Sequence, residues 1–228
     1  MTREHWEAVF KTKTSHQVGW YQPHLQRSLS LIERSGVGTN SHIIDVGGGE
    51  STLAQDLLER GFRAVTVLDI SATALARARG RLGERAGEVT WIEADVTKAK
   101  LTPAEYDLWH DRAVFHFLTT SEDKRKYVDL LTRCLRPPGY LVIATFGPDG
   151  PDHCSGLPTM RYGPEDLRTE LGSSYTLLEA ETEIHVTPGR VRQSFVYCLF
   201  RMGEPHTPPN NSLEPTRTAA ENGDSNAH

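Results

Sequence analysis

The chain reads as an α/β protein built on a doubly wound, mostly parallel sheet. Three observations predict this. Short Val- and Ile-rich runs alternate with amphipathic helical stretches from residue 41 to 146. The first run ends in a glycine turn, "DVGGGES", where a strand hands over to a helix. The last two β-rich segments, "YTLLEAETEIHVTP" and "RQSFVYCLFRM", are parted by Pro188-Gly189 with no room for a crossover helix, so they must pair antiparallel.

Each element follows from its own pattern. Residues 1–40 hold two helical patterns around "SHQVGWYQP", and are read as a cap or lid. Trp6 and Phe10 share a face in the first, as do Leu25, Leu29 and Ile32 in the second. "SHIIDVG" is a buried strand, and "TLAQDLLERG" is an amphipathic helix closed by Gly61. "AVTVLDIS" is the second strand, followed by the helix "ATALARARGRLG", and "VTWIEADV" is the third. "YDLWHDRAV" begins a fourth, "DKRKYVDLLTRCL" is helical, and "YLVIATF" is a fifth strand after a break at Pro137, Pro138 and Gly139. The stretch "GPDGPDHCSGLPTMRYGPEDL" is expected to be a long loop on the functional edge, because Gly and Pro recur through it. The main domain is expected to span residues 41–203. From residue 204 the chain is polar and proline-rich, too poor in apolar surface to offset its ordering entropy, and is expected to be a disordered tail.

Composition narrows the function classes. A formal charge of −5 and a pI near 6.1 oppose a general nucleic-acid binder. There is no 18-residue apolar run and no apolar leader in "MTREHWEAVF", so the protein is expected to be soluble and cytoplasmic, without a membrane partner. Cys134, Cys154 and Cys198 are odd in number and widely spaced, which reads as reduced thiols rather than disulfides or a metal site. Nothing in the sequence fixes an oligomeric state.

In an open parallel sheet, ligands sit beyond the carboxyl ends of the strands. Gly47 and Gly49 allow the main chain to approach such a ligand closely. A dinucleotide fits poorly: the third fingerprint position is Thr52, and Asp45 and Glu50 would stand near its pyrophosphate. A cation with an amino-acid end fits better, and S-adenosylmethionine is one. Asp45 can attract its charge, Asp69 at the second strand tip can accept both ribose hydroxyls, and Asp95 after the third can receive the adenine amino group beside the Val96 amide.

On these residues the chain resembles the class I S-adenosylmethionine-dependent methyltransferases from about residue 40 to 203. "DVGGGES" is similar to their D-x-G-x-G loop, "LDIS" to their ribose site, "EADV" to their adenine site, and "LRPPGYLVIATF" to the turn entering strand five. The resemblance implies a Rossmann-like seven-stranded sheet of order 3-2-1-4-5-7-6, strand seven antiparallel, with helices on both faces. It implies S-adenosylmethionine as cofactor and S-adenosylhomocysteine as product. The cofactor residues it implies are Asp45, Gly47, Gly49 and Ser51 on the first turn, Asp69 and Ile70 on the second, and Asp95 and Val96 on the third. The segment "HWEAVF…VGWYQP" also resembles small methyltransferase-like proteins, some of which methylate protein lysines. Those carry D-K-G-T-x-D where this chain has Asp111-Arg112-Ala113-Val114-Phe115-His116.

The tip of strand four should face the transferred methyl group. His110 and His116 are candidate bases, and Arg112 could clamp an anionic acceptor or pair with Asp111. Trp20, with Tyr21 and Gln22, could close over the cofactor as an aromatic lid. His153, Cys154, Arg161 and Tyr162 would approach from the loop after strand five. The leading expectation is a methyltransferase acting on a small molecule. A protein-lysine methyltransferase and a non-catalytic partner of the same fold are the alternatives.

Overall fold

The computed structural model describes residues 2–203. The segment read as a tail, 204–228, lies outside the described residues. The elements in chain order are α1 (Arg3–Thr12), α2 (Gln26–Arg34), β1 (His42–Val46), α3 (Leu53–Glu59), β2 (Ala64–Asp69), α4 (Ala72–Leu82) and β3 (Val89–Glu93). They continue with β4 (Tyr106–Arg112), α5 (Ser121–Cys134), β5 (Leu135–Phe146), β6 (His153–Cys154), β7 (Leu157–Pro158), α6 (Pro164–Leu171), β8 (Tyr175–Val186) and β9 (Arg192–Met202).

The main sheet has seven strands in the order β3-β2-β1-β4-β5-β9-β8. Strands β3 through β5 pair in parallel, and β9 runs antiparallel to both β5 and β8. Counting β8 and β9 as the sixth and seventh main-sheet strands, this is the expected order with the seventh reversed. Alternate side chains enter opposite cores, as a period-2 strand requires. Ile44, Trp109, Leu141, Ile143 and Cys198 join α5 and α6 on one face. Ile43, Leu108, Val142, Ala144 and Leu199 join α2 and α3 on the other. Because both faces are covered, the central strands are apolar throughout rather than alternating.

Local chemistry sets the helix ends. The Ser71 hydroxyl accepts from the Ala74 N–H at 3.2 Å to start α4, and the Thr120 hydroxyl accepts from the Asp123 N–H at 3.1 Å to start α5.

Three expectations change. Strand β5 does not wait for Tyr140: it starts at Leu135 and carries the prolines and Gly139 in an irregularity where the β4 register jumps from Tyr106↔Leu135 to Leu108↔Tyr140. The loop after β5 is partly regular, holding the β6–β7 hairpin and α6, which opens with Pro164 at its first turn. Helix α2 belongs to the core under the sheet, through Leu29, Leu31 and Ile32, while α1 and the chain up to Leu25 stand over the strand ends. No helix among the described residues is long and apolar enough to cross a membrane.

Candidate active site

Two adjoining cavities lie at the carboxyl ends of β1, β2 and β4. One runs from Asp69, Ile70 and Val96 to Arg112, His116 and Phe146. The other is lined by the glycine turn, Asp45, Ser51, Tyr21 and Gln22. Gly47, Phe10, Trp20 and Arg112 border both. The roof is a third apolar cluster in which Trp6, Val9, Phe10 and Val18 pack on Ala74 and Phe117. Glu7 pins this roof to α4: it accepts from the Ser71 hydroxyl at 2.8 Å, and from the Thr73 N–H and hydroxyl at 3.1 and 2.6 Å. The Thr73 bonds, chiefly, hold the Glu7 carboxyl well below the usual carboxylate range.

The floor of the first end is acidic. Asp69 is buried and accepts from the Ser71 N–H at 2.8 Å. Burial, followed by the nearby Asp45 charge, raises its pKa to about 7 against opposing N–H bonds from Ser71, Gly49 and Ile70. Asp45 is also buried; its Oδ1 is bonded to His110 Nδ1 at 2.7 Å, while Oδ2 has no partner. A buried, unpartnered carboxylate oxygen beside the glycine turn suits a cationic ammonium group. Gly49, at φ +45°, completes the cradle: a Cβ there would stand 3.0 Å from Asp69 Oδ2 and 3.5 Å from the Phe10 ring. These residues fit the amino-acid and ribose portions of S-adenosylmethionine.

The other expected cofactor residues divide between the cavity and its surroundings. Gly47 has φ +67° and borders both cavities, and its missing Cβ also makes room for Val114, whose Cγ2 would lie 2.0 Å away. Asp95 is engaged by the Thr97 N–H and hydroxyl at 2.9 and 2.7 Å and by Lys98 at 3.2 Å, and it faces an outer opening with Glu93 and Arg3. Val96 and Ile70 line the main cavity, as does Trp20. The Ser51 hydroxyl accepts from the Leu53 N–H at 3.0 Å at the start of α3.

The comparisons with known proteins agree with this geometry. Residues 43–139 match the family model described as a methyltransferase domain. Over that stretch the chain is similar to a methyltransferase domain. An uncharacterized methyltransferase of Mycobacterium tuberculosis is 34% identical over 104 residues, 46% of this chain and 50% of the relative, so the chain spans about half that relative's length. The human EEF1A lysine methyltransferase 2 is 22% identical over 193 residues, 78% of this chain and 75% of the relative. Among solved structures, the N-methyltransferase NodS from Bradyrhizobium japonicum with S-adenosylhomocysteine has a TM-score of 0.64 at 18% identity, covering 87% of this chain and 98% of that one. The structure of Burkholderia thailandensis 1,6-didemethyltoxoflavin-N1-methyltransferase, also with S-adenosylhomocysteine, has a TM-score of 0.64 at 19% identity, covering 89% and 84%. The domain's fold is that of the class I S-adenosylmethionine-dependent methyltransferases.

Within the domain, strand four is where sequence and geometry diverge most. Successive residues of a strand face opposite ways, so His110 and Asp111 cannot share the crevice. Asp111 turns into the core, accepting from the Tyr127 hydroxyl at 2.6 Å and from the Val114 and Phe115 N–H groups at 2.9 and 3.1 Å. It shapes the turn that follows β4 and stands clear of the reacting region. His110 borders the smaller cavity, but both ring nitrogens are engaged, Nδ1 by Asp45 and Nε2 by the buried Ser28 hydroxyl at 2.8 Å. It is an orienting group for Asp45 rather than a free base.

His116 is fully buried, and burial lowers its pKa to about 3, so the ring is neutral. Its Nδ1 accepts from the Phe146 N–H at 3.2 Å, which puts the ring proton on Nε2. That Nε2 has no partner among the described residues. His116 therefore offers a donor to the cavity it borders, not a base. Arg112 does not pair with Asp111. Its Nε donates to the Tyr197 hydroxyl and its Nη1 to the Trp20 carbonyl, each at 2.9 Å, and its guanidinium lies 5.0 Å from the Phe195 ring centre.

The loop residues also separate. Cys154 borders the cavity, and burial pushes its thiol up to about 11, so it is not a thiolate at neutral pH. Tyr162 packs in the sheet core against Phe115, while His153 and Arg161 are exposed. The sequence reading missed Phe117, Phe146 and Phe195 as cavity walls. Their only local signal was an aromatic residue near a strand tip, and most such residues are plain core.

Proposed function

We propose that the protein transfers a methyl group from S-adenosylmethionine to a small-molecule acceptor. The observation that carries this reading is the roofed crevice. Trp6, Phe10 and Trp20 stand over the acidic strand ends, and the space beneath them, toward His116 and Phe146, is narrow and lined mostly by apolar side chains. Such enclosure favours a small acceptor and keeps water from a reactive methyl donor.

Bound there, the cofactor would supply an electrophilic methyl carbon on sulfur for an acceptor's lone pair, the C–S electron pair being left on sulfur. The protein's part is placement. Asp45 and Asp69 would hold the donor, with His110 and Ser28 fixing the Asp45 carboxylate. His116 and Arg112 would hold the acceptor. Since no histidine at the site is free as a base, the acceptor has to arrive with an available lone pair. Protein-lysine methylation is a second reading, supported by the similarity to the EEF1A lysine methyltransferases.

The test combines calorimetry with S-adenosylhomocysteine and incubation with methyl-labelled S-adenosylmethionine plus separated metabolite and protein fractions. Binding, with label entering the metabolite fraction, is the expected outcome. Label confined to protein would establish the second reading, and no binding of S-adenosylhomocysteine would overturn both.

A further inference from the structure

The acceptor end of the larger cavity carries a charge that no carboxylate among the described residues pairs with. Arg112 Nη2 is buried and without a hydrogen-bond partner, and among the described residues no carboxylate lies within ion-pair distance of the guanidinium. The other two nitrogens are held by neutral oxygens, of Tyr197 and Trp20, which fix the fork without neutralising it. Glu183 is reached only through the far side of the Tyr197 hydroxyl. The second unanswered group is His116 Nε2, a donor by virtue of the Phe146 N–H on Nδ1. His185, the remaining titratable ring nearby, is taken up by the Gly19 carbonyl at 2.7 Å and by Gln22 at 3.2 Å.

Two unpartnered donors, one of them cationic, stand among apolar walls. Buried donors without partners are uncommon and mark a place where something else completes the bonds. The walls are aromatic: His116 packs on Phe146 at a tilt of 31° with 4.4 Å between ring centres, and Phe146 meets Phe195 edge to face at 4.8 Å. A guanidinium fork recognises paired oxygens on a planar anion, and aromatic walls recognise a ring. An amine cation would meet repulsion from Arg112 and find two donors where it needs acceptors.

Resting on the methyltransferase reading, we propose that the acceptor is a small aromatic or conjugated anion. Its oxygens dock on Arg112 Nη2 and His116 Nε2–H, with its ring against the aromatic wall that Phe146 and Phe195 form together. The same geometry excludes a lysine side chain from this end of the crevice, which makes Arg112 a specificity-determining residue against protein substrates.

Benzoate, benzylamine and N-acetyl-lysine methylamide serve as probes, titrated against the full chain with and without saturating S-adenosylhomocysteine and followed by tryptophan fluorescence, since Trp6 and Trp20 border the cavity. Benzoate is expected to bind at least tenfold tighter than either amine. Arg112→Gln should weaken benzoate at least tenfold while S-adenosylhomocysteine affinity, by calorimetry, stays within about threefold; Arg112→Lys, which keeps the charge on a different shape, should fall between. An amine binding as well as benzoate, or benzoate unaffected by Arg112→Gln in a protein with an unchanged melting curve, would overturn the proposal. So would a parallel loss of S-adenosylhomocysteine affinity, which would place Arg112 on the cofactor's carboxylate. Failure of S-adenosylhomocysteine to bind the unmodified protein refutes the methyltransferase reading instead, and the benzoate arm without it still reads the anion site.

Discussion

Cofactor affinity should depend on pH through Asp69. The perturbation is protonation of one buried carboxyl whose pKa is raised to about 7, first by burial and second by the Asp45 charge. The sign follows from which form the ligand prefers. A ribose diol donates two O–H groups, and a carboxylate accepts both, whereas a carboxylic acid spends one oxygen on its own proton. Binding thus selects the ionised form, and affinity falls as pH drops below the free-state pKa. The apparent dissociation constant scales as one plus the ratio of protonated to ionised Asp69, so between pH 8 and pH 6 it should rise about tenfold, about 1.4 kcal/mol. Folding is linked with its own sign: the raised folded-state pKa contributes stability that is fully present below about pH 4 and lost as pH rises through about 7. Bound cofactor opposes that loss.

Isothermal calorimetry with S-adenosylhomocysteine at pH 6, 7 and 8, in buffers of different ionisation enthalpy, reads both affinity and proton release. Asp69→Asn should bind more weakly throughout and with a flat profile. Among the other shifted groups, Asp111 titrates near pH 6, but it is turned into the core against Tyr127, and His116 lies near 3, below the window. A dissociation constant unchanged between pH 6 and 8, or an Asp69→Asn variant with the same slope, would refute the assignment of Asp69 to the ribose.

Three further outcomes are expected. Gly47→Ala should destabilise by about 1–2 kcal/mol from its left-handed backbone, with more from the Val114 contact, and adding Val114→Ala should restore only the contact part; equal melting temperatures for wild type and Gly47→Ala would contradict the observed turn. Tyr127→Phe removes the hydroxyl that donates to Asp111 and accepts from Trp109 Nε1 at 3.0 Å, so chemical denaturation should show a loss of about 1–3 kcal/mol with cofactor affinity unchanged; a selective loss of turnover would return Asp111 to the chemistry. S-Adenosylhomocysteine should slow tryptic cleavage at Lys11 and Lys13, beside the Phe10 roof, and equal cleavage rates with and without it would mean that the roof does not respond to the ligand.

The sheet was legible because its central strands are covered on both sides. "HIID", "AVTVLD" and "YLVIATF" place apolar residues on both faces, as Ile43 and Ile44 do, and the glycine turn fixes which end carries the site. The Pro188-Gly189 hairpin likewise left no other pairing for β8 and β9. Helix α6 had its signals, Pro164 at the first turn and Asp166 accepting from the Gly163 N–H at 2.7 Å, but the surrounding glycines and prolines masked an eight-residue helix. The opposed directions of His110 and Asp111 were also implicit in strand period. What no local pattern could supply were the partners: Ser28 lies 82 positions from His110, and Trp20 and Tyr197 lie 92 and 85 from Arg112. Those contacts decide whether a histidine is a base and whether an arginine is neutralised, and they exist only once the sheet is closed.

The crevice is therefore polarised by topology. Strands β1 and β2 bring Asp45 and Asp69 to one end, and β4, the next strand on the other side of β1, brings Arg112. A cationic donor drawn to the carboxylates and an anionic acceptor drawn to the guanidinium attract each other across a space that the aromatic roof keeps at low dielectric. Each then strengthens the binding of the other by the same factor, because the coupling belongs to the pair. The effect depends on the charge on sulfur, so an anion should bind more tightly in the presence of the sulfonium cofactor than of its neutral thioether product. Transfer of the methyl group removes that charge and with it the attraction, and so the arrangement that assembles the reactants also loosens the products.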